Sequence, residues 1–159
     1  MRMRQLLAVS AAACVVAVAV PSSAQAGTKT VNGCPPGHVC VYDANPSGPT
    51  YAKPVFSTEG GFSHRSIPVK RIFNNGKKHP GADHIYYHGK AGWGEFRGCL
   101  HFHESANTAM DKGTFADLSG YTLNPVIQSA YWGDECPANR PVLQLDIHGD
   151  GKGWITPGS

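Results

Sequence analysis

Two cysteines six residues apart, Cys34 and Cys40, enclose Pro35, Pro36 and Gly37, and no other feature constrains this chain as tightly. A disulfide between them would close a small rigid loop. The apolar residues around the second cysteine, Val39, Val41 and Tyr42, read as the start of a β-strand. The run Cys-Pro-Pro-Gly-His-Val-Cys-Val-Tyr therefore predicts the opening of a small, disulfide-stapled β domain.

Such a domain needs an oxidising compartment, and the preceding residues read as a route to one. Arg2 and Arg4 supply a positive start, an apolar run covers residues 6–20, and Ala24-Gln25-Ala26 matches a small-residue cleavage site. The run is interrupted by Ser10 and ends at Pro21, shorter than the ~20 residues a membrane span requires. Residues 1–26 are thus expected to be an export signal and the product a secreted, extracellular monomer, not membrane-anchored. Its removal would leave 133 of the 159 residues, four of the five cysteines, and a formal charge of +1 in place of +3. So small a charge gives no argument for nucleic-acid or membrane partners. The length suits one domain or a close pair of subdomains.

An even cysteine count in an exported chain favours disulfides over metal or redox chemistry. Four cysteines allow three pairings. The local one, Cys34–Cys40, leaves Cys99–Cys136. That second bridge would close a loop of about 38 residues, worth roughly 3–4 kcal/mol in the chain-entropy description.

With 19 glycines and 11 prolines beyond residue 26, helical periodicity has no room to develop. Apolar residues come in short runs bounded by turn formers, the all-β signature. Strands are expected at 39–43, 51–56, 69–74, 84–88, 97–104, 126–132 and 142–147. Pro54 would put the second of these at a sheet edge or bulge, and Asn74-Asn75-Gly76 reads as a tight turn. The runs fall into two halves. Val41-Tyr42 opens one and Ile72-Phe73 closes it; Ile85-Tyr86-Tyr87 opens the other and Ser129 to Gly133 closes it. Each half suits a four-stranded Greek key that needs its partner to bury one face. After Cys136, Pro137 to Pro141 reads as a break. Residues 137–159 form an extension, either an edge strand at 142–147 or, as Gly149, Gly151 and Gly153 favour, a poorly ordered end.

Three chemistries can be weighed on residue types alone. His101 and His103 flank Phe102 and would share a strand face, with His84, His88 and Glu104 as further zinc or copper donors. Exposed histidines on a polar sheet face are the plainer reading, so no metal or other cofactor is assigned. For calcium, Asn124-Pro125-Val126-Ile127-Gln128-Ser129 keeps only the ends of a calcium-binding crystallin motif. Asp146-Ile147-His148-Gly149-Asp150-Gly151 starts like an EF-hand loop, but has His at position 3 and Pro157 at position 12. Neither is expected to bind. Hydrolase motifs are missing, and no spacing of Asp and Glu suggests a carboxylate pair, so the chain reads as non-enzymatic.

The apparent signal, the Cys34 to Tyr42 run, the internal Cys99 and the closing Gln128-Ser129-Ala130-Tyr131-Trp132-Gly133-Asp134-Glu135-Cys136 together resemble the Streptomyces metalloproteinase inhibitor family. The resemblance covers about residues 34–136, and residues 27–136 are accordingly expected to form the inhibitor-type domain. It implies a βγ-crystallin-like Greek-key sandwich of two pseudo-repeated halves with two disulfides. It also implies a partner, an extracellular thermolysin-like metalloproteinase. The family presents its reactive bond just after a cysteine in a Cys-apolar-x-Phe stretch, which here is Cys99-Leu100-His101-Phe102. Leu100 would then fill the enzyme's apolar pocket, the Cys99 carbonyl would face the catalytic zinc, and His101 and Phe102 would make flanking contacts. Two departures stand out. Asn45-Pro46-Ser47-Gly48 lacks the aromatic residue the family places before that glycine, and His103 and Glu104 occupy the region where the family has a second cysteine. The alternative reading is a secreted crystallin-like structural, stress-related or surface-binding module with no protease target; there, residues 97–104 are an ordinary strand with Leu100 and Phe102 in the core.

Overall fold

The computed structural model describes residues 28–43, 53–103, 110–121, 123–148 and 153–157. The expected export signal, the Asn45 to Gly48 turn, Glu104, and the Gly149, Asp150 and Gly151 of the tail lie outside them. Among the described residues there is no helix, and so none long and apolar enough to cross a membrane. Nine strands among the described residues build two antiparallel sheets: β1 (His38–Tyr42), β2 (Phe56–Thr58), β3 (Ile67–Pro68), β4 (Arg71–Asn75), β5 (His84–Ala91), β6 (Gly94–Leu100), β7 (Phe115–Asp117), β8 (Val126–Gly133) and β9 (Gln144–Asp146). One sheet has the order β2-β1-β4-β7, the other β3-β8-β5-β6-β9.

That order contains an exchange. β1, β2 and β4 stay in the first sheet while β3 pairs with β8 in the second; β5, β6 and β8 stay in the second while β7 pairs with β4 in the first. Each set of four strands therefore lends its third member to the other sheet, and neither sheet is complete alone. Val39, Val41, Ile72, Ile85, Tyr87, Phe96, Leu100 and Ile127 form the shared core.

β1 is buried on both faces, which is why its sequence reads as an almost unbroken apolar run. Val39 and Val41 belong to the main core, whereas Cys40 and Tyr42 join Val31, Cys34 and Phe73 in a second, smaller one. The Cys34–Cys40 disulfide closes that small core, as expected from the local spacing. The Tyr42 hydroxyl donates to the Asn32 carbonyl at 3.1 Å, and burial pushes its pKa up, so it remains a protonated donor.

Asn74-Asn75-Gly76 does not make the tight turn its composition suggested. Asn74 and Asn75 end β4 with their side chains wholly buried. Asn75 Nδ2 donates to the Lys29, Cys34 and Pro35 carbonyls at 2.9–3.0 Å, stapling the N-terminal loop to the sheet. Asn74 Nδ2 donates to the Asp83 and Leu100 carbonyls at 2.8 and 3.3 Å, and its Oδ1 accepts the Gly76 N–H at 2.7 Å. Two amide side chains here satisfy backbone groups that a turn would have left to water.

The chain beyond Cys136 is drawn into the second sheet. β9 pairs with β6, Leu145 bridges to Ile155 by two backbone hydrogen bonds, and the Arg97 guanidinium lies 3.8 Å from the centre of the Trp154 ring. The edge-strand alternative thus describes this segment, over a shorter range than residues 142–147. Gly98 allows the approach: a Cβ there would lie 2.0 Å from the Val142 carbonyl and 2.6 Å from the Tyr87 hydroxyl, which itself donates to that carbonyl at 2.6 Å.

Candidate functional site

β5 and β6 run antiparallel with Ile85 opposite Leu100 and Tyr86 opposite Cys99. β8 lies on the other side of β5, with Gly133 opposite His84. Three chain segments therefore meet at one end of the second sheet: the start of β5, the exit of β6 and the exit of β8. The Cys99–Cys136 disulfide ties the last two together, the bridge expected once the local pair is set aside.

The structure separates the four residues of the expected reactive segment. Cys99 and Leu100 are wholly buried, and Leu100 is part of the core. The Cys99 N–H donates to the Pro141 carbonyl at 3.1 Å. In this arrangement Leu100 does not reach a partner's pocket, because its side chain already fills one in the core. β6 ends at Leu100, four residues earlier than the expected strand end at 104. From there the chain turns outward: His101 is exposed, its N–H donating to the Gly113 carbonyl at 3.0 Å, and Phe102 is half-buried with its ring edge against His84, centroids 5.7 Å apart.

Because residues 101–103 are not a strand, His101 and His103 do not share a face. His103 is buried, its Nδ1 lying 2.8 Å from Asp111 Oδ2 and its ring edge against Phe73. His88 Nε2 lies 3.2 Å from Glu95 Oε2. His101 meets His84 instead: Nδ1 and Nε2 are 3.1 Å apart. Glu135 Oε1 completes a triangle, 3.3 Å from His84 Nε2 and 3.4 Å from His101 Nδ1. Behind His84, Nδ1 bonds Asp83 Oδ1 at 2.7 Å, and the other Asp83 oxygen accepts the His79 N–H at 3.0 Å. The Cys136 sulfur also lies within 4.8 Å of both ring nitrogens, but it is committed to the disulfide.

Sequence reasoning placed His84 and His101 among possible donors yet missed Asp83 and Glu135. A signal was present. If Cys99 joins Cys136, then Glu135 must lie near His101, and antiparallel pairing of two adjacent strands brings the start of one to the end of the other. The residues of the calcium-like segments stay apart from this cluster: Asn124 is exposed, Ser129 lies on β8, and Asp146 is buried in β9.

No protein-family model, curated protein or solved structure matches the chain.

Proposed function

We propose that this chain is an exported βγ-crystallin-like domain that inhibits an extracellular, thermolysin-like metalloproteinase, engaging it with the segment that leaves β6. Two four-strand units that exchange their third strands fit a pair of Greek keys sharing one core, the architecture the family resemblance implies. The observation that carries the binding role is the tethering of residues 101–102. They leave the sheet next to the Cys99–Cys136 bridge and are held by the His101 to Gly113 hydrogen bond. A segment fixed in this way loses little conformational entropy on docking. Since Leu100 is in the core, the apolar contact passes to Phe102, with His101 beside it.

A second reading, a crystallin-like module without a protease target, is favoured by one fact: the Cys99-Leu100 bond is not displayed. An inhibition assay of the purified protein against a thermolysin-like enzyme separates the two. The inhibitor reading expects micromolar or tighter inhibition, weakened at least about tenfold by Phe102→Asp, since a carboxylate in an apolar pocket costs more than the ~1.4 kcal/mol that a tenfold change represents. Circular dichroism of the variant should match wild type. Wild-type protein that leaves the enzyme fully active at those concentrations would discard the inhibitor and keep the module.

A further inference from the structure

We propose that His84, His101 and Glu135 form a binding site for a divalent transition-metal ion of the zinc class, with Asp83 orienting His84 from behind. The three donor atoms are separated by 3.1, 3.3 and 3.4 Å. Metal–ligand bonds of about 2.0–2.1 Å at tetrahedral angles place neighbouring ligands about 3.3 Å apart, so the triangle has the size of one face of such a site.

The donor set points the same way. His84 Nδ1 lies 2.7 Å from Asp83 Oδ1, and a hydrogen bond there turns Nε2 to the open side of the ring. Nε2 faces a carboxylate oxygen 3.3 Å away and the Nδ1 of a second imidazole 3.1 Å away. A cation at the centre would be bound by all three at once. A carboxylate behind a ligating histidine is also what metal sites use to fix ring orientation and raise basicity. Here Asp83 is itself held, by the His79 N–H on its carboxylate and the Asn74 amide on its carbonyl.

Access and rigidity suit the role. The His84 side chain is 3% exposed, whereas those of His101 and Glu135 are 48% and 75% exposed. The fixed ligand thus lies at the base and the two others at the rim, with a fourth position open to solvent or to a donor from a partner. The Cys99–Cys136 bridge anchors both rim ligands, one being two residues from Cys99 and the other adjacent to Cys136. Two nitrogens and one oxygen suit zinc, with copper(II) expected to bind more tightly by the general order of affinities.

The test is calorimetric titration of the full exported protein with zinc chloride, paired with thermal unfolding with and without zinc. A single site and a rise in Tm are expected, because an ion that binds only the folded state stabilises it by mass action. His101→Ala and Glu135→Gln alter exposed side chains, so both variants should fold as wild type and lose at least about tenfold in affinity. Asp83→Asn should weaken binding roughly ten- to a hundredfold while leaving a single site. His88→Ala, in the separate pair with Glu95, should change nothing. Wild-type protein that takes up no zinc, or zinc binding untouched by His101→Ala and Glu135→Gln, would overturn the proposal. No protease enters the experiment, so its outcome is independent of the inhibitor reading.

Discussion

Leu100 and Phe102 are two residues apart, yet their substitutions should register in different measurements. Leu100 is wholly enclosed between the sheets, so Leu100→Ala removes buried methyl groups and leaves a cavity that its β-sheet neighbours relax into only partly. A loss of about 2–5 kcal/mol is expected from urea unfolding. A loss under about 0.5 kcal/mol, the range of surface substitutions, would show that Leu100 is exposed in solution and would return it to the protease-facing role. The sequence could not separate these cases, because Cys-apolar-x-Phe describes a displayed loop and a buried strand end equally well. What decides is where β6 stops, and that is set by the turn to His101 and the Gly113 contact, neither of which leaves a local pattern.

Among the elements, β7 shows why some strands were illegible. It has three residues, too few for a period-two pattern, and all three pair with β4. Arg71 on β4 sits directly opposite Asp117, is itself largely buried, forms an ion pair with it, and lies 4.6 Å from the centre of the Phe115 ring. Burial alone would raise the Asp117 pKa. The side-chain and backbone donors of Ser119, together with Arg71, outweigh it and hold the carboxyl below its ordinary value. A depressed folded-state pKa means that the stabilisation is present above the unfolded value, about 3.9 for Asp, and is lost as pH falls below it. Asp117→Asn is therefore expected to cost about 1–3 kcal/mol near pH 7. That is less than for a fully buried pair, because Asp117 remains a third exposed. Urea midpoints measured downward from pH 7 should show the gap between variant and wild type closing below about pH 4. A gap constant across that range would mean that the carboxylate charge contributes nothing.

Over the whole molecule, the all-β class and the two disulfides were legible and the exchange of strands between the sheets was not. Alternating and continuous apolar runs say that a strand exists and how many of its faces are buried. They do not say which sheet it joins, since β3 and β7 bury residues against the same core from either side. The cysteines carried more, because a short proline-rich spacing leaves little freedom and an even count fixes the remainder. The two bridges should nevertheless stabilise unequally. Cys34–Cys40 spans a sequence separation of 6 and Cys99–Cys136 one of 37, so loop-closure entropy predicts about 2 kcal/mol for the first and about 4 kcal/mol for the second. Both cysteine pairs also pack against neighbours, and replacing each pair by alanine removes packing as well as the link. The denaturant slope separates the two effects, since it follows the surface exposed on unfolding and a longer constraint, once cut, frees more of it. Chemical unfolding of Cys99→Ala/Cys136→Ala should therefore show both the larger loss of stability and the larger rise in slope. If Cys34→Ala/Cys40→Ala matched it in both quantities, the stabilisation would come from the small core around Tyr42 and Phe73 instead of from the length of chain each bridge restrains.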